Sequence, residues 1–313
     1  MSEERRLLRQ TVAALVDKHA DSEAVRRAMD SDRGYDEALW TMLCEQVGVA
    51  ALLVPEDCGG AGGELADAAA VIEELGRSLV PTPLLGTTLA EIALLQADSL
   101  ETESLEQLAT GSAIGTVVFD RDYVINGDVA DVVLAVEDGR LYRWTEVTVE
   151  PAATMDPTRR LARVSPGSTR PIGADPGLAD TAAILLAAEQ VGAADRCLQL
   201  TVEYTKQRVQ FGRPIGSFQA LKHRMADLYV AVQAARAVVD DAVTDPTPVS
   251  ARLARLAASE AFSTVAGEAI QLHGGIAITW EHDIQLYFKR AHGSAQLFGS
   301  PREQLRWLES QAL

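Results

Sequence analysis

The chain has 313 residues, 47% of them hydrophobic and 23% charged. That is long enough for a substantial core in two or three structural units, with the balance of an ordinary globular protein. A formal charge of -17 argues against a nucleic-acid partner, because a phosphate backbone would be repelled. The richest apolar stretch, Ala182 to Ala188, is far too short to cross a bilayer.

Residues 1–110 read as helical. The first ten residues, MSEERRLLRQ, lack an apolar signal core, so a cytoplasmic protein without a membrane segment is expected. Leu7, Leu8, Val12, Leu15 and Val16 recur at helical spacing, as do Leu39, Trp40, Leu43 and Val47. The run VGVAALLVPEDCGGAGG then closes in Gly59, Gly60, Gly62 and Gly63, too many glycines for a helix and therefore a loop. A helix from about Glu64 to Ser78 is expected to end before Pro81 and Pro83.

Residues 111–172 change texture. GTVVF, YVING, DVVLAV and RLYRW are short β-branched or aromatic runs, and Asn126-Gly127 and Asp138-Gly139 both signal hairpins. A small antiparallel β unit is expected. Residues 173–313 return to helix, with long segments at about 176–208, 216–243 and 248–273. Shorter ones follow, from about Trp280 to Leu297 and from Pro301 onward. The fold class is thus mainly α with a small β insert. Its three units are a helical domain (1–110), a β domain (111–172) and a helical bundle (173–313). Cys44, Cys58 and Cys197 are odd in number and in no ligand spacing, which fits free buried thiols. The histidines, His19, His223, His273, His282 and His292, show no metal-ligand spacing.

Two stretches carry chemistry. In Arg208-Val-Gln-Phe-Gly-Arg-Pro-Ile-Gly-Ser-Phe-Gln219, an arginine stands at a helix end beside glycines. Its forked donors suit a diphosphate, Phe211 offers a flat face to an aromatic ring, and Gln210 and Gln219 can hydrogen-bond a heterocycle. In Ala269-Ile-Gln-Leu-His-Gly-Gly-Ile276, Gln271 precedes a glycine pair, Gly274 and Gly275, that allows close backbone approach. Each stretch alone also fits a plain helix end, with Arg208 complementing the helix dipole and the glycines acting as a cap.

Together, in order and over nearly the whole chain, these stretches resemble the acyl-CoA dehydrogenase family. RVQFGRPIGSFQALKHRMADL and AIQLHGGIAITWEHDIQLYFKRA are similar to its two C-terminal signatures. LWTMLCEQVGVAALLVPEDCGGAGG and VIEELGRSL resemble its N-terminal domain. The resemblance implies an N-terminal helical domain, a middle β domain and a C-terminal four-helix bundle. It also implies FAD and α,β-dehydrogenation of an acyl-CoA thioester, with an electron-transfer flavoprotein as acceptor. By this likeness Arg208, Gln210, Phe211, Gln219, Gln271, Gly274 and Gly275 contact the nucleotide end of an FAD shared across a subunit interface.

The sequence also departs from the family pattern. The general base is expected within Gln296-Leu-Phe-Gly-Ser300, but Phe298 stands at the glutamate position and accepts no proton. The alternative site, Thr181-Ala-Ala-Ile184, has no glutamate either. Asp180 is an outside candidate, and Glu189 fits a buried paired carboxylate or one facing an interface. The β unit is short and lacks the flavin-facing loop and tryptophan strand. The chain therefore resembles the non-catalytic subunit of actinobacterial α2β2 dehydrogenases of steroid side-chain β-oxidation, in which a catalytic partner supplies the base. Two alternatives stay open: a self-sufficient homomer with a relocated base, and a non-redox protein that binds acyl-CoA or a partner.

Overall fold

A computed structural model describes residues 2–311. Its first part is helical: α1 (Glu3–His19), α2 (Ser22–Met29), α3 (Glu37–Met42), α4 (Leu65–Arg77), α5 (Leu84–Leu95) and α6 (Thr102–Ala109). Side-chain oxygens of Ser2, Asp21 and Asp36 accept from the backbone N–H groups of Arg5, Ala24 and Leu39, which starts α1, α2 and α3. A π-helical turn, Leu43–Val47, continues α3 and stops at Gly48. The glycine-rich segment that follows is a loop, as its composition dictates.

The β region holds β1 (Gly115–Val118), β2 (Val124–Ile125), β3 (Val132–Glu137), β4 (Arg140–Thr145), β5 (Thr148–Ala152), β6 (Leu161–Ser165) and β7 (Ser168–Ala174). One sheet runs β1-β3-β4-β7 and the other β2-β6-β5. Asp138-Gly139, both in the left-handed region, turns β3 into β4 as the sequence predicts. Two expectations are corrected. Asn126-Gly127 is a turn but no hairpin, because β2 pairs with β6 while β3 lies in the other sheet. The unit is not wholly antiparallel either, since β1 and β3 pair in parallel. Strand alternation explains why β3 is apolar on both faces from Val132 to Ala135: Val133 and Ala135 face a core shared with β2 and β6, while Val132 and Leu134 face the main helical core.

The last part comprises α7 (Leu178–Gln207), a ribbon of β8 (Val209–Gln210) and β9 (Arg213–Pro214), α8 (Gln219–Thr244), α9 (Pro248–His273), α10 (Ile284–Gln296) and α11 (Pro301–Gln311). α7 is the central beam, about 45 Å long at 1.5 Å per residue. It packs on α4 at a crossing of two glycines. A Cβ at Gly192 would strike the Glu73 carbonyl, and one at Gly76 would strike the Glu189 carbonyl. No described helix is long and apolar enough to cross a membrane. Cys44, Cys58 and Cys197 are free and buried.

Candidate functional site

The seven residues predicted to bind a nucleotide lie at one end of the bundle. α7 finishes at Gln207, and the Arg208 N–H closes its last turn on the Tyr204 carbonyl at 2.9 Å. β8 and β9 then form a tight ribbon whose two central residues, Phe211 (φ 53) and Gly212 (φ 77), are both left-handed. Left-handed backbone is costly for phenylalanine, yet the Phe211 ring gains no burial from it and is 91% exposed. Behind it, the Arg213 guanidinium sits 3.9 Å over the Phe218 ring, which stiffens the base of the ribbon. Gln219 opens α8, and its amide reaches His223 at 3.3 Å.

α9 returns to the same end. The Tyr204 hydroxyl donates to the His273 carbonyl at 3.2 Å and ties the two helix ends together. Gln271, Gly274 and Gly275 are exposed there. Among the described residues, neither the Arg208 guanidinium nor the Gln271 amide has a side-chain partner, so both donors face solvent. Gly274 needs its glycine for a φ of 64. Gly275 does not, and a Cβ there would meet nothing within 4 Å. The chain's own packing therefore does not require a glycine at position 275. An exposed guanidinium, three exposed amides, an exposed aromatic face and bare backbone match the donor set that a dinucleotide requires.

The buried histidine beside this surface is structural. His273 donates from Nδ1 to the Ala269 carbonyl at 2.8 Å and stacks on Tyr204 at 4.2 Å. Burial pushes its pKa down to about 4 against the pull of that carbonyl, so the ring is neutral.

Phe298 lies elsewhere, in the turn after α10. It too is left-handed (φ 54) and precedes Gly299 at φ 92. The turn is held from below. Arg255, fully buried, donates to the Ser294 and Leu297 carbonyls at 2.5 and 2.8 Å, and the Gln304 amide donates to the Phe298 carbonyl at 3.0 Å. The Phe298 ring meets Phe119 edge-on at 5.2 Å. Both line a cleft of about 630 Å³ between the β region and the bundle.

Each nearby carboxylate has a partner. Asp120 accepts from the Asp122 N–H at 2.9 Å. Glu303 accepts from the N–H and hydroxyl of Ser300, both at 2.7 Å, which holds its carboxyl below the usual range. Asp180, the outside candidate, is paired with Arg252, whose guanidinium lies 4.0 Å over Trp307. Glu189 is buried, as its sequence context predicts. Burial alone would raise its pKa, but the guanidiniums of Arg159 and Arg290 outweigh burial and lower it. Arg290 also binds Asp156 at 2.9 Å and the Thr158 hydroxyl at 2.8 Å, which locks α10 and α7 to the β5–β6 connection.

Sequence reasoning missed Arg255, Phe119 and Gln304. Arg255 was detectable: Ala251, Arg255, Ala258 and Phe262 fall on one helical stripe, so an arginine stands where the pattern demands an apolar residue. Phe119 and Gln304 leave no such mark, because their role depends on tertiary contacts.

Comparison with known proteins follows the same lines. Residues 2–112 match the family described as "Acyl-CoA dehydrogenase, N-terminal domain", and residues 177–308 match "Acyl-CoA dehydrogenase, C-terminal domain". The acyl-CoA dehydrogenase IpdE2 of Mycobacterium tuberculosis is 71% identical over 309 residues, covering 99% of this chain and 97% of the relative. Among solved structures, the ChsE4-ChsE5 complex from Mycobacterium tuberculosis superposes with a TM-score of 0.90 at 27% identity, covering 100% of this chain and 98% of the other. A variant of the Tcur3481-Tcur3483 steroid ACAD gives 0.91 at 26% identity, covering 99% and 98%.

Proposed function

The chain belongs to the acyl-CoA dehydrogenase family of enzymes, and from that premise we propose that it is the subunit of a heteromeric, FAD-dependent dehydrogenase that contributes the nucleotide-facing half of the flavin site. A catalytic partner supplies the general base and the strands beside the flavin ring. The reaction is α,β-dehydrogenation of an acyl-CoA thioester, in which FAD, when bound, accepts the hydride.

In this reading Arg208 holds the diphosphate with its forked donors. Gln210, Gln219 and Gln271 hydrogen-bond the nucleotide, Phe211 covers an aromatic ring, and Gly274 and Gly275 let the main chain come close. The observation that carries the proposal is the contrast at Phe298. The expected proton acceptor is an aromatic ring against Phe119, and Asp120, Glu303, Asp180 and Glu189 are all engaged elsewhere. At the other end of α7, among the described residues, the Arg208 guanidinium and the Gln271 amide have no side-chain partner. The likeness to the ChsE4-ChsE5 complex and to a steroid ACAD of two named components supports a partnered enzyme and a steroid-derived acyl chain. An electron-transfer flavoprotein is the acceptor expected from the family.

Flavin absorbance tests the proposal. Purified alone, the chain is colourless and inactive. Co-expressed with its catalytic partner, it yields a yellow complex that turns over acyl-CoA. A yellow, active protein from this chain alone overturns the shared site, and a complex without flavin overturns the redox role.

A further inference from the structure

We infer that the small cavity where the helical domain, the β region and the bundle meet is an anion site, one that takes a single small monovalent anion of the chloride class. The cavity shares no lining residue with the cleft beside Phe298. The site stands whatever subunit role the chain has.

Three observations carry it. The first is the wall. The α4–α5 connection, the end of β2, the β5–β6 connection, α7 and α10 close around about 30 Å³, room for about two water-sized particles. Ile72, Leu75, Leu84, Leu85 and Ile125 line it on the apolar side. Arg159, Arg160, Arg290 and Glu189 line it on the charged side. Sulfate, phosphate and organic carboxylates are too large for such a space.

The second is donors without acceptors. Arg160 is engaged by Asp128 and by the Asp32 carbonyl at 2.6 Å. Arg290 is engaged by Asp156, Glu189 and the Thr158 carbonyl. Arg159 differs. Its side chain is 8% exposed and its Nη2 pairs with Glu189, but its Nη1 has no hydrogen-bond partner among the described residues. A buried charged donor left without an acceptor is costly. Asn126, 5% exposed, also lines the cavity, and among the described residues its side-chain amide makes no hydrogen bond. The Thr82 hydroxyl adds a third donor at the wall.

The third is charge. Arg255 is fully buried, and no carboxylate is among its hydrogen-bond partners. Burial, and then repulsion from Arg159, lowers its pKa to about 9, so it stays protonated at neutral pH. Three guanidiniums, Arg159, Arg290 and Arg255, therefore share two carboxylates, Glu189 and Asp156, which leaves one positive charge over. A water in the cavity would meet the donors and leave that charge. A monovalent anion meets the donors and balances it.

The test uses the full chain in sodium gluconate, with sodium chloride added at constant ionic strength. Chloride raises the melting temperature along a saturable curve, by about 3 °C at tenfold its dissociation constant. Sodium bromide reproduces the shift, and crystals grown in bromide show an anomalous peak beside Arg159. Asn126→Asp sets a carboxylate at the wall, and aspartate tolerates the left-handed φ of 52 as asparagine does. That variant keeps its far-UV circular dichroism and loses the chloride response. Arg159→Gln, which leaves Glu189 paired with Arg290, loses the response as well. Arg208→Ala keeps it, which separates the cavity from the exposed surface suited to phosphate. Equal melting in chloride and gluconate, a response that survives Asn126→Asp or Arg159→Gln, or one lost with Arg208→Ala overturns the site. A bromide peak with no response in solution marks an adventitious ion only and overturns it too.

Discussion

Glu189 and His273 show how single residues set the stability of this chain. Glu189 satisfies two guanidiniums, from Arg159 and Arg290, in a region closed to solvent. Removing one member of such a group leaves uncompensated buried charge. Glu189→Gln is therefore expected to cost about 3 kcal/mol, read as a lower urea midpoint at pH 7. His273 works through pH. Its folded pKa is about 4, below the value of roughly 6.5 in an unfolded chain. Between those values the unfolded state binds the extra proton, so stability is full above about pH 6.5 and declines as pH falls toward 4. With partial screening by solvent the loss is about 2 kcal/mol. Comparing urea midpoints from pH 7 to pH 4 for wild type and His273→Gln checks this: the variant lacks that part of the decline.

At the scale of elements, the crossing of α4 and α7 is the tightest joint. Gly76 and Gly192 bring each backbone against the other helix's carbonyl, at Glu189 and Glu73. Gly192→Ala forces the helices apart and is expected to cost about 2–3 kcal/mol, seen as a lower Tm with unchanged far-UV circular dichroism. The long helices were legible in the sequence because their periodicity and their breakers, Pro246, Pro248 and the Gly274-Gly275 pair, are local features. The pairing of strands was not. β1 finds β3 across the intervening β2, and Asn126-Gly127 reads the same whether its flanking strands share a sheet or separate. Phe298 was legible as a departure at one position. The cleft it lines was not, since Phe119, Met155 and Glu303 converge only in the folded chain. Arg255 was written on the α9 apolar stripe and went unread.

Over the whole molecule, the account rests on two ends of one bundle serving different purposes. One end displays Arg208, Phe211, Gln271 and Gly275 to solvent, while the other carries Phe298 over an apolar cleft with an acidic lining. A charge of -17 favours repulsion between copies, and against that background an exposed cation such as Arg208 is a local feature that suits phosphate. If the flavin's diphosphate lies against this chain while the reacting ring lies in a partner, losing Arg208 impairs cofactor binding and spares the chemistry. The most direct measurement is the FAD dissociation constant of the complex carrying Arg208→Ala, together with kcat at saturating FAD. The account predicts a dissociation constant raised roughly tenfold to a hundredfold, the worth of one charge-assisted contact, with kcat within about threefold of wild type. An unchanged dissociation constant would contradict it.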